Sequence, residues 1–107
     1  MAVKLRTKWP DPILRQMATI LEGYARSHPT ASIEAYRQND VSIRIRIISP
    51  EFQRQSRVDR EDEVWSILDK LPAETTAEIS LLLLLTPAEA ANSFASEEFD
   101  DPIPSKL

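Results

Sequence analysis

Between Val41 and Trp65 the chain reads VSIRIRIISPEFQRQSRVDREDEVW, and its hydrophobic period changes part-way. Val41, Ile43, Ile45 and Ile47 alternate with Ser42, Arg44 and Arg46. A period of two in β-branched residues is that of a half-buried strand. Ser49-Pro50 ends the run, because proline cannot donate to a ladder and steers the residue before it away from helix. From Val58 through Trp65, Leu68 and Leu71 the spacing becomes helical. The stretch therefore predicts a strand feeding an amphipathic helix through a polar, arginine-bearing turn, with Phe52 plugging the core after Pro50.

The flanking segments extend this pattern. Asp11-Pro12 has the form of an N-cap followed by proline at the first helical position. Ile13, Leu14, Met17, Ile20, Leu21 and Tyr24 then form one stripe of a core-packing helix that closes at His28-Pro29. Residues 30–37 alternate, with Ala31, Ile33 and Ala35 on one side, before the turn cluster Gln38-Asn39-Asp40. The two alternating runs predict a β-hairpin. A three-residue loop would set Ile33 opposite Ile45, Ala35 opposite Ile43 and Glu34 opposite Arg44. The helix after the hairpin is expected from about Arg57 to Leu71, with Ser56 and Asp59 at its start and Pro72 beyond its end. Residues 77–85, AEISLLLLL, read as a strand covered on both faces, the rival being a helix running on towards Ala91. Thr86-Pro87 favours the strand, followed by a short helix capped by Thr86.

The expectation is thus a single α+β domain over residues 11–95, ordered helix-strand-strand-helix-strand-helix. Its three-stranded mixed sheet would carry the helices on one face. Residues 1–10 are expected to be a flexible lead-in, and the acidic, proline-bearing residues 96–107 a disordered tail.

A chain of 107 residues, 42% hydrophobic and 28% charged, is ordinary globular material. It contains no cysteine, which excludes disulfides, thiolate nucleophiles and cysteine-held zinc or iron–sulfur clusters, and fits a reducing, cytoplasmic setting. The longest apolar run, Leu81 to Leu85, is far too short to span a bilayer. The single glycine, Gly23, lies inside a helical pattern, so neither a P-loop nor a dinucleotide fingerprint can be written. With no activated nucleophile, metal triad or cofactor loop, the chain is expected to act by binding and not as an enzyme, and without a cofactor.

In element order, and in the stretch IISPEFQRQSRVDREDEVW followed by LLTPAEA, the chain resembles the BolA family, whose domain has a KH-like topology. The resemblance covers roughly Pro12 to Ala91. Phe52 and Arg60 fit the family pattern of strand, Ser-x-x-Phe, short loop and Arg-His-Arg opening the long helix. Arg54 stands where that pattern has glycine, Glu61 where it has histidine, and Asp62 where it has arginine. Glu78 falls at a second family histidine. Family members that share an iron–sulfur cluster with a monothiol glutaredoxin ligate it through histidine, and carboxylates are hard ligands poorly suited to that iron. The resemblance therefore implies a module that docks a partner protein, a monothiol glutaredoxin being the one implied, without ligating a cluster. The partner-binding residues it implies are Arg54, Arg57, Arg60, Glu61, Trp65 and Glu78.

The alternative is a nucleic-acid-binding regulator using Arg37, Arg44, Arg46, Arg54, Arg57 and Arg60, since guanidinium suits phosphate. Against it stand a net charge of −4, interspersed acids, and the lack of the Gly-x-x-Gly clamp of KH domains. Two smaller candidates remain. His28, the only histidine, is placed to meet helix-terminal carbonyls. Glu61 and Glu78, if close in space, could raise each other's pKa or hold a hard cation.

Overall fold

The computed structural model describes residues 3–7 and 10–102. The chain runs β1 (Val3–Leu5), α1 (Pro12–Ser27), β2 (Ser32–Asn39), β3 (Ser42–Ile48), a 3-10 turn (Pro50–Arg54), α2 (Arg57–Leu68), α3 (Ala73–Thr76), β4 (Ile79–Leu85), α4 (Pro87–Ala91) and α5 (Phe94–Asp100). The strands form one sheet in the order β1-β2-β3-β4. β2 and β3 are antiparallel, while the outer pairs β1–β2 and β3–β4 are parallel.

The expected three-stranded sheet with helices on one face is corrected in two ways. A fourth strand, β1, pairs Val3 with Ile33 and Leu5 with Ala35. It lies in the segment expected to be a lead-in, and three residues are too few to show a period. Among the described residues five α-helices are present, not three, and α5 runs from Phe94 into the segment expected to be a tail. Glu34, Tyr36, Arg44 and Arg46 alternate with the core-facing Ile33, Ala35, Ile43 and Ile45, so they occupy the opposite face. There α5 packs, its Phe99 edge-on to Tyr36 with centroids 4.8 Å apart. The helices therefore cover both faces. The parts of the expected lead-in and tail at residues 1, 2, 8, 9 and 103–107 lie outside the described residues.

The core forms where the sequence stripes meet. Leu14, Met17, Leu21 and Tyr24 of α1, with Val64 and Leu68 of α2, close over Ile33, Ala35, Ile43, Ile45, Ile47 and Leu84. Phe52 is fully buried among them, as expected of a plug after Pro50. Asp11 caps α1, its carboxylate accepting from Leu14 N–H at 3.0 Å. His28 Nδ1 lies 3.0 Å from the Tyr24 carbonyl at the helix end, and its ring stacks on Tyr24.

The hairpin register differs from the expected one by two residues. Ile33 pairs with Ile47, Ala35 with Ile45 and Glu34 with Arg46, with an irregularity between Arg37 and Asn39. The strands run on to Asn39 and resume at Ser42, which leaves only Asp40 and Val41 in the turn. Val41 is consequently 60% exposed instead of core-facing. The apolar alternation is the same in either register, because a shift of two keeps every side chain on its face.

Candidate docking groove

β4 ends the sheet. The Leu85 carbonyl accepts from Ser49 N–H at 2.9 Å, so the backbone polar groups of Leu85 face β3. By strand alternation those of Leu83 and Leu81 do too, while Leu82 and Leu84 present theirs to the free edge. Arg60 confirms the direction: its Nη1 donates to the outward Leu84 carbonyl at 3.1 Å. Near its other end β4 carries an irregularity, between the pairs Ile43–Ile79 and Arg44–Leu81. The open part of the edge is therefore centred on Leu82. The opposite edge, β1, is three residues long, and its Val3 N–H is taken by Glu22 of α1 at 3.0 Å.

The first turn of α2 stands beside this edge. Arg57, Arg60 and Glu61 with Leu82 to Leu85 line a cleft of 160 Å³. A second cleft, of 370 Å³, lies between the 3-10 turn and α4, lined by Pro50, Gln53, Thr86, Pro87, Ala88 and Glu89. Arg60 lines both.

Arg60 is the hinge of the arrangement. Its side chain is 6% exposed, yet every nitrogen finds an acceptor among carbonyls of Phe52, Gln55 and Leu84 and the Glu89 carboxylate. Glu89 in turn closes a capping box with Thr86, accepting the Thr86 N–H at 2.9 Å. The donation from Arg60, aided by that N–H, lowers the Glu89 pKa from 4.5 to about 2. Arg57 makes no ion pair among the described residues but lies near enough to Glu89 to add to the shift. It is the cation on the rim still open to a partner's carboxylate.

Of the residues read from sequence, the fold gathers Arg57, Arg60 and Glu61 at this groove. Arg54 ends the 3-10 turn and is exposed. Trp65 is half-buried against the core. Glu78 precedes β4 and accepts from Arg37 at 2.9 Å. Glu61 faces the far end of the strand, roughly 20 Å of β-structure from Glu78, so the two glutamates do not form a pair. No group of three His, Cys, Asp or Glu side chains placed to hold a metal occurs among the described residues. His28 does have a carboxylate nearby, Glu63 at 3.8 Å, which also accepts from the Tyr24 hydroxyl at 3.3 Å.

The six arginines of the alternative reading do not share a surface. Arg37 is on the helix side, bonded to Asp11 and Glu78. Arg44 and Arg46 lie under α5, paired with Glu98 and with Glu34 and Asp100. Only Arg54 and Arg57 are exposed. Glu89 was missed as a site residue, although the Thr-Pro-x-Glu run already carried its signal: a threonine cap with glutamate at the third helical position.

No family model matches the chain, and no curated protein matches it. No helix among the described residues is long and apolar enough to cross a membrane.

Proposed function

We propose that the chain is a non-enzymatic, BolA-like docking module that receives an extended segment of a partner protein along the open edge of β4. The observation that supports this is the outward-facing backbone of Leu82, on a strand edge that no other described strand pairs, lying beside a cleft whose rim carries the exposed Arg57. An added strand would take its affinity from main-chain bonds to Leu82, and its orientation from a carboxylate on Arg57. The BolA resemblance names a monothiol glutaredoxin as the partner. Glu61 in place of histidine means that docking would proceed without a cluster ligand from this chain.

The test is an amide-resolved titration of the labelled protein with a monothiol glutaredoxin, cluster-free and cluster-loaded. Equal shifts with both forms, confined to residues 57–61 and 82–85, are expected. Arg57→Glu should weaken both by roughly tenfold, the scale of a charge-assisted bond lost. Tighter binding of the loaded form would contradict docking without ligation. No shift with either form would remove the glutaredoxin assignment.

A further inference from the structure

The sheet face beneath α5 sets charged side chains beside Leu81 and Leu83 of β4. Arg6, Glu34, Tyr36, Arg44 and Arg46 occupy it, and α5 covers it with one ring and two carboxylates. Phe99 is fully buried between two guanidiniums, with Arg6 and Arg46 at 4.7 and 4.6 Å from its ring centroid. Glu98 pairs with Arg44, and Asp100 with Arg46 at 2.9 Å. Ser96 accepts from Arg46 at 2.9 Å through its hydroxyl, and Arg6 donates to the carbonyls of Phe99 and Asp100. Arg6 also lies over Tyr36, 4.1 Å from its centroid.

We propose that this face is a binding site for single-stranded nucleic acid, and that α5 occupies it as an internal mimic, Phe99 standing for a stacked base and Glu98 and Asp100 for flanking phosphates. Two features favour a ligand over a merely structural cover. First, the cover leaves donors over: among the described residues the buried Nε of Arg44 has no hydrogen-bond partner, and that of Arg6 has only the Glu34 carboxylate at 3.7 Å, beyond hydrogen-bond reach. Each such orphan is costly, and phosphate, with more acceptor oxygens than a carboxylate, can satisfy it. Second, the cover is incomplete. A cleft of 440 Å³ opens beside α5, lined by Ser42, Arg44, Ser80, Leu81, Ala95 and Glu98, and a strand could enter there. A sheet face with an aromatic residue among arginines is a stacking platform of the kind single strands use.

α5 is also easily separable. It is seven residues long and joined to α4 through Asn92 and Ser93 alone, and its first residue, Phe94, is 89% exposed. It is held by Phe99, by hydrogen bonds from Arg6 and Arg46, and by two ion pairs, of which salt screens the more exposed carboxylate ends. Arg37, Arg54, Arg57 and Arg60 take no part, so this site is separate from the β4 groove.

The experiment is fluorescence anisotropy of a labelled twelve-nucleotide oligouridylate with the full-length protein. Wild type is compared with Glu98→Gln/Asp100→Asn, and with the same pair plus Phe99→Ala. The milder variant keeps Phe99 and serves if the triple variant does not fold, as read by circular dichroism. Binding at least tenfold tighter than wild type is expected, falling steeply between roughly 50 and 200 mM salt. Adding Arg44→Gln and Arg46→Gln should abolish the gain. Loosened variants that bind no tighter, or whose gain survives loss of both arginines, would overturn the proposal. Equal competition by inorganic polyphosphate would overturn it too, since polyphosphate has nothing to stack.

Discussion

Arg60 shows how much of a side chain's role the sequence leaves open. The sequence reads it as a contact residue near the start of a long helix, and the fold turns it inward against three carbonyls and Glu89. Truncating one partner of a buried, hydrogen-bonded pair strands the others. Arg60→Ala is accordingly expected to cost about 1–3 kcal/mol in urea unfolding, since Glu89 is left a third exposed and the loss falls on the buried carbonyls. Glu89 carries the matching pH dependence. Its folded pKa is depressed, so its contribution is complete above pH 4.5 and is lost as the pH falls towards about 2. The melting-temperature gap between wild type and Glu89→Gln should therefore be widest near neutrality and shrink through that window. Gly23 makes the opposite case. It sits inside α1 with an ordinary helical backbone, and a Cβ there would meet only Arg26 Nη2 at 3.7 Å. Gly23→Ala should stabilise the protein by about 0.5–1 kcal/mol in the same assay.

At the scale of elements, the strands and the long helices were legible because apolar period encodes them. Ile43, Ile45 and Ile47 face the core as their alternation required, and the leucine run formed β4 because Thr86-Pro87 halts it. What stayed hidden has no period. β1 is three residues long, and α3 is a single turn with no side-chain cap. α5 has no apolar stripe; it is held by one buried ring and by charges contributed from Arg6, Arg44 and Arg46, far away in the sequence. Phe99→Ala should cost about 3–5 kcal/mol if α5 folds in one cooperative unit with the sheet. A loss confined to α5 would instead leave the global unfolding midpoint unchanged while amide exchange rises only in residues 94–100.

At the scale of the whole molecule, the fold separates charges that the sequence presents as one basic set. The alternation of β3 sends Arg44 and Arg46 to the α5 face, whereas α2 carries Arg57 and Arg60 to the edge of β4. The alternation of Ser42, Arg44 and Arg46 already set those two arginines apart from the helix ones; that α5 packs over them is a long-range fact the sequence could not show. The candidate groove was half legible: Arg57, Arg60 and Glu61 are indeed together, while Glu78 and Trp65 serve the ion pairs and core elsewhere. The β4 edge completes it, and edge position is a property of topology alone.

The open edge of β4 is tested most directly by amide hydrogen exchange resolved along Ile79–Leu85. In the free protein Leu83 and Leu85, bonded to β3, should be protected, while Leu82 exchanges at least tenfold faster; with the partner bound, Leu82 should become as slow as its neighbours. Uniform protection along the strand in the free protein would contradict an open edge, and a Leu82 amide that stays fast in the complex would contradict docking by strand addition.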